Sequence, residues 1–319
     1  MLNVCFYNKD WERITSPGCV SLKLSMDSDV PADSLEVTLP YFDTYKDVSR
    51  VSVFDNENNR IFSGICDEIE LRKNQKGAFV ALYFRDFTAL LIDNEGIPCE
   101  FINPTADVIF EKYLAPLGFD SFIADGKAVN GKFTVKKGTS VYKILSDFCS
   151  INYGCKPAVL PDGKIIFTGV NPAEKVIFSD SSDYQFFTYT SITANSYPCK
   201  VISSVRIKTS SDDFYNTIIK NNLGDKTGLI RERCVDACCA STPAETAFRI
   251  IENTNSQYEE YKIRTESIRS FSVFQSAEIK DSCLGNITKL YVSALAIVQE
   301  PDSEYCDITL KKENTNVAY

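Results

Sequence analysis

Apolar and polar positions alternate with a period of two along much of the chain, which is the signature of strands buried on one face. Val20, Leu22 and Leu24 share one side of the stretch 20–25, and Leu35, Val37 and Leu39 repeat the pattern up to Pro40. Val51 to Phe54 and Arg60 to Ile65 predict a hairpin whose tip is the polar run Asp55 to Asn59. Glu68 to Arg72 and Phe79 to Phe84 predict a second hairpin around Asn74, Gln75, Lys76 and Gly77. Short strands this closely spaced suggest a barrel or sandwich. The Leu-rich stretch Phe87 to Ile92 reads as one helical turn or a short strand.

The period changes after residue 97. Thr105 suits the N-cap of a helix over 106–114, with Val108, Ile109 and Tyr113 at helical spacing and Pro116 and Gly118 stopping it. Ser140 suits the cap of a second helix over 141–151, with Ile144, Leu145 and Phe148 on one face and Gly154 just past its end. Pro161, Asp162 and Gly163 predict a turn between strands over 156–160 and 164–168. Beyond residue 180 strands return: 191–194, 200–209, 261–268, 271–274, 289–298 and 306–311. Asn221 to Gly228 reads as a polar loop, Pro243 opens a helix over 244–256, and residues 312–319 read as a frayed polar end. The expected fold is therefore mainly β with an α+β insert. Its three parts are a first β-barrel over 1–96, a small α+β domain over 97–180, and a second β-barrel with one helix over 181–319.

Charge and composition narrow the function. The 319 residues carry a formal net charge of -9, which disfavours a phosphate-backbone footprint. Histidine is absent, which removes Ser-His-Asp and Cys-His catalysis and every His-containing metal site. The 12 cysteines are scattered, mostly within apolar patterns. That favours reduced core thiols over a disulfide framework, and folding in a reducing cytoplasm. The start of the chain lacks a basic segment followed by an apolar one, and no apolar stretch approaches the roughly 20 residues of a membrane span.

Several clusters invite a chemical reading. Cys234, Cys238 and Cys239 form a CxxxCC group, without CxxC spacing or a histidine partner. Asp55 and Glu57 lack the acidic spacing of a calcium loop, and a solvated hairpin tip accounts for them better. Arg85 beside Asp86 reads as a structural ion pair or as strand-end bonds. Glu68 with Glu70, and Glu259 with Glu260, are spaced as paired acids, yet nothing around them forms a sugar cleft. The 16 tyrosines and 21 phenylalanines suit β cores and large interfaces. No catalytic, cofactor-binding or metal residue is assigned.

An ordered set of features resembles the baseplate hub proteins of contractile phage tails, the late-control protein D type, and of related contractile bacteriocins. The set comprises Phe62 with Gly64 in the first hairpin, Arg85-Asp86 before Leu90 to Glu95, the helix from Ala106, Pro116 with Gly118-Phe119, and the segment 138–167 with its Asp-Gly turn. The resemblance is best over residues 20–120, and beyond 180 it is one of order and length. It implies a non-enzymatic homotrimer without cofactors. Each chain would supply two related barrels to a pseudo-sixfold ring that joins the hexameric tail tube to the trimeric central spike. The implied partners are the tube or tube-initiator protein, the spike and other baseplate proteins, with no sequence-specific nucleic-acid binding and no membrane insertion. The protein would be made in the bacterial host cytoplasm and released in the virion or tailocin particle. The alternatives are a β-rich glycan-binding or adhesin module and, further off, a cell-wall hydrolase.

Overall fold

A computed structural model describes residues 2–75, 77–169, 174–181, 186–209, 213–236, 243–266 and 271–313. The chain is mainly β. Seven strands come first: β1 (Asn3–Tyr7), β2 (Arg13–Ile14), β3 (Ser21–Asp27), β4 (Ser34–Pro40), β5 (Arg50–Phe54), β6 (Arg60–Asn74) and β7 (Gly77–Asp86). They pair antiparallel in the order β3-β4-β7-β6-β5-β1-β2. The period-two reading holds where it was strongest, because Leu22, Leu24, Leu35, Val37 and Leu39 are all buried.

The two predicted strands 60–65 and 68–72 are one strand. The β6–β7 register shifts between Cys66 and Glu68, so a bulge at Asp67 lets β6 pass from β5 onto β7 alone without ending. A bulge adds one residue to one strand and bends it, which on paper looks like a break between two strands. The stretch after β7 forms a helix, α1 (Thr88–Asp93).

The next part contains β8 (Cys99–Ile102), α2 (Ala106–Ile109), β9 (Phe122–Ile123), β10 (Lys132–Val135), α3 (Val141–Tyr153), β11 (Ala158–Val159) and β12 (Ile165–Ile166). Helix α3 follows its sequence signals. The Ser140 hydroxyl accepts a bond from the Lys143 amide at 3.2 Å, and Gly154 ends the helix with φ of 70°. Thr105 has the extended backbone of a cap but its side chain does not bond. After α2 the chain widens into a π turn at Phe110–Leu114 and then tightens into a 3-10 turn at Ala115–Leu117. Ile109 and Tyr113 are buried, whereas Val108 is exposed. The helical stripe that sequence spacing drew through Val108 is thus off by one position. This part has its own core, in which Phe148 lies against Phe133 and Phe167 with rings at 88–90°.

The chain then returns to the large sheet through β13 (Val176–Ser179), β14 (Phe187–Thr188) and β15 (Ser191–Ser196). It leaves again for β16 (Ser204–Lys208), β17 (Thr217–Lys220), α4 (Asn222–Thr227), β18 (Glu232–Asp236) and α5 (Pro243–Ser256). These make a three-stranded sheet, β17-β16-β18, with Ala247 and Ile251 of α5 packed on Val205, Ile207 and Val235. The stretch read as a polar loop, Asn221 to Gly228, is the short helix α4. Asn221 caps it by accepting from the Leu223 amide, and Gly228 closes it at φ 67°. Its polar composition reflects a surface turn of helix, not an absence of structure.

Four last strands, β19 (Glu259–Thr265), β20 (Ser276–Asp281), β21 (Gly285–Glu300) and β22 (Ser303–Lys312), complete the large sheet. Residues 271–274, expected as a strand, form a turn in which Phe274 has φ of 71°. The predicted strand 261–268 and the frayed end run partly outside the described residues.

Strand β21 joins the two ends of the chain. It pairs with β20 and β22, and its Ala294 to Gln299 pair antiparallel with Asp27 to Leu22 of β3. The outcome is a single 14-stranded sheet. One apolar cluster runs from Phe6, Leu24 and Phe84 to Phe178, Ile297 and Leu310.

Candidate functional site at the junction of the three parts

The residue groups with chemical potential resolve into structural roles. Asp55 is the hub of its hairpin tip. Its carboxylate accepts from the Glu57 and Asn59 amides at 2.9 and 2.8 Å and from the Asn59 side chain at 3.1 Å. Glu70 pairs with Arg72 at 2.7 Å, and Arg72 also donates to the Tyr83 hydroxyl. Glu259 pairs with Lys312 at 2.6 Å, while Glu260 pairs with Lys262 at 3.4 Å and accepts from Tyr197. Cys234 is exposed on β18, and Cys238 and Cys239 lie outside the described residues. Among the described residues no cluster of three potential metal ligands occurs.

The ten described cysteines are all free thiols. Burial pushes the Cys19 and Cys66 thiols up to about 11 and that of Cys306 to about 12. These are core thiols, inert as nucleophiles. Cys199, Cys234 and Cys283 are exposed, and the other seven described cysteines are buried or half-buried.

Arg85 and Asp86 do not pair with each other. They are adjacent on β7 and point to opposite faces. The Arg85 guanidinium bridges Asp67, the bulge residue, and Asp93 of α1, with bonds of 3.1 Å to Asp67 and 2.7 Å to Asp93. It therefore ties the bend of β6 to the helix that follows β7. Asp86 turns inward. Its carboxylate accepts from the Thr88 amide at 3.0 Å and the Thr88 hydroxyl at 3.1 Å, which turns the chain into α1.

The inward face of Asp86 opens on two adjoining cavities, of about 130 and 330 Å³. Both are lined by Asp33 and Asp86, by Ala158 and Val159 of the middle part, and by Val273 of the late turn. The three parts of the chain meet here. The Asp86 amide donates to the Asp33 carbonyl at 3.0 Å, so the two acidic residues are held side by side at the start of β4 and the end of β7. Burial and the neighbouring charge of Asp86 push the Asp33 carboxyl up to about 8. Burial pushes Asp86 up to about 6, held back by its bonds to Thr88. Of the two structural readings of Arg85 with Asp86, the mutual ion pair fails and the strand-end bonds hold, through Thr88. Asp33 carried no signal, because an acid before a strand reads as an exposed turn residue.

No family model matches this chain, and no curated protein matches it. Solved structures do. A tail protein from Neisseria meningitidis MC58 superimposes with a TM-score of 0.75 at 14% identity, over 98% of this chain and 96% of that one. The fold is that of phage tail proteins. The 43 kDa tail protein of prophage MuSo2 from Shewanella oneidensis gives a TM-score of 0.75 at 12% identity, over 98% of both chains. The E. coli c3393 protein, a type VI secretion component described as structurally similar to T4 bacteriophage tail proteins gp27 and gp5, gives 0.57 at 11% identity. It is covered over 78% of its length, against 100% of this chain.

Proposed function

We propose that this chain is a structural baseplate protein of a phage-type contractile tail, and within it the hub. Three copies would form a pseudo-sixfold ring that seats the trimeric spike on one side and receives the hexameric tube on the other. In this reading residues 1–96 and 181–319 provide the two tube-like barrels and 97–180 the small domain. The chain works by assembly and not by catalysis, and it reaches its place in the virion or tailocin after synthesis in the host cytoplasm. The observation that carries the reading is end-to-end agreement with two tail proteins, 98% of this chain at a TM-score of 0.75. The ordered resemblance of Phe62, Gly64, Arg85 and the later motifs to hub proteins supports the finer assignment. A threefold ring with two similar units per chain gives a nearly sixfold rim, which matches a sixfold tube to a threefold spike.

Light scattering across a concentration series tests this, on the purified chain alone and mixed with the spike protein encoded beside it. The hub reading expects a mass of three chains of 35.8 kDa, either alone or on mixing. A monomer that ignores the spike would remove the hub assignment.

A further inference from the structure

The chain has no histidine, so the usual sensor of near-neutral pH is missing. Asp33 and Asp86 sit side by side where the large sheet, the middle part and the late turn meet, and both line the two cavities between them. We propose that the Asp33–Asp86 pair is a protonation-dependent clasp, which holds the middle part against the large sheet while the pair carries a proton and loosens that junction when both groups ionise. This holds whether or not the chain is a hub.

The surroundings act on the pair in both directions, and burial outweighs the rest. On the β3–β4 connection, Asp27 adds a further negative charge to Asp33, although a backbone hydrogen bond at Asp27 offsets part of it. Asp29 of the same connection is neutralised by Lys311 at 2.8 Å. On β7, Arg85 bonds Asp67 and Asp93, and its charge offsets a small part of the rise at Asp86. From α1, Thr88 bonds Asp86. From α3, Tyr142 lines the smaller cavity, and Asp86 and burial raise its hydroxyl further above its ordinary value. The one cation lining either cavity among the described residues is Lys156, whose ammonium donates to the Ser28 carbonyl at 3.2 Å. The late turn contributes Ser272, Val273 and Phe274, which carry no charge. Two adjacent carboxyl groups at a half-buried junction cannot both ionise without cost.

The sign follows from linkage. Both carboxyls bind protons more tightly in the folded chain, Asp33 at about 8 and Asp86 at about 6, than in an unfolded one, at about 3.9. Their contribution to stability is complete below pH about 4, is lost as pH rises towards about 8, and is flat above that. Carboxylates held below the usual range, such as Asp29 and Asp93, change stability only at acid pH and add no slope in this window.

The test uses the full chain in reductant between pH 5 and 9. The single tryptophan, Trp11, lies 6.4 Å from the ring of Phe87, next to Asp86, and reports unfolding by fluorescence. The wild type is expected to lose on the order of 5 °C in Tm across this range, and Asp33→Asn to lose most of that slope. Hydrogen exchange on the wild type, corrected for intrinsic rate, is expected to speed up several-fold towards pH 9 in peptides spanning 27–33, 86–93 and 142–159, and not in 204–236. Equal slopes in wild type and Asp33→Asn would overturn the proposal. Should Asp33→Asn fail to fold, the exchange experiment decides alone: acceleration confined to the junction supports the clasp, and uniform or absent acceleration rejects it.

Discussion

At the scale of single residues, two positions carry more than their neighbours. A Cβ on Gly64 would stand 2.2 Å from the Arg85 carbonyl oxygen and 3.0 Å from the Phe62 ring. The backbone there is ordinary, so the need for glycine is one of space between β6 and β7. Gly64→Ala is expected to cost about 1–3 kcal/mol by forcing the two strands apart, read as a fall in the denaturation midpoint. An unchanged midpoint would mean the sheet yields there. Arg85 is the second. Its side chain is about one-third exposed, so its two ion pairs are screened by water. Arg85→Met is expected to cost about 1 kcal/mol or less, and the difference from wild type should shrink as salt is raised. A loss that ignores salt would point to packing of the methylene stem instead.

At the scale of elements, the helix α3 is the best-specified piece. Its cap, its apolar face and its terminating glycine agree, and consistency of that kind makes a local signal trustworthy. Ser140→Ala removes the bond to the Lys143 amide and is expected to cost about 1 kcal/mol, with Ser140→Asp restoring most of it in the same melt. Two of the elements that sequence reading misplaced share a cause. The bulge at Asp67 and the left-handed Phe274 are each set by a neighbour distant in sequence, whereas the cap of α4 is the adjacent Asn221. The bulge fits β6 first to β5 and then to β7. Phe274 is held by a bond from its amide to Val292, and α4 by the Asn221 side chain, which also bonds Ile202 and Asn255. A window of ten residues around Asp67 or Phe274 contains none of their partners, and of the contacts that anchor α4 it contains only the cap.

At the scale of the whole molecule, the β3–β21 seam decides how the chain behaves. Residues far apart in sequence, such as Leu24 and Ile297, are register partners and both buried. The large sheet from both ends should therefore unfold together. Hydrogen exchange is expected to give similar protection in β3 and β21, and Ile297→Ala, at about 2–4 kcal/mol, should lower both at once. Separate losses would mean the two ends are independent units. Reductant is expected to leave Tm unchanged, since the described thiols are free.

The sequence by itself determined the mainly-β class, the apolar faces of β3 and β4, the caps of α3, and the absence of any histidine-based site. Each rests on periodicity or on residue identity, both of which are local. Only the tertiary structure decided that Asp33 lies beside Asp86 and that β21 sews the two ends into one sheet. Those facts depend on which segments meet across more than 50 residues of chain. Strand pairing through backbone groups leaves little trace of the partner's identity in the side chains.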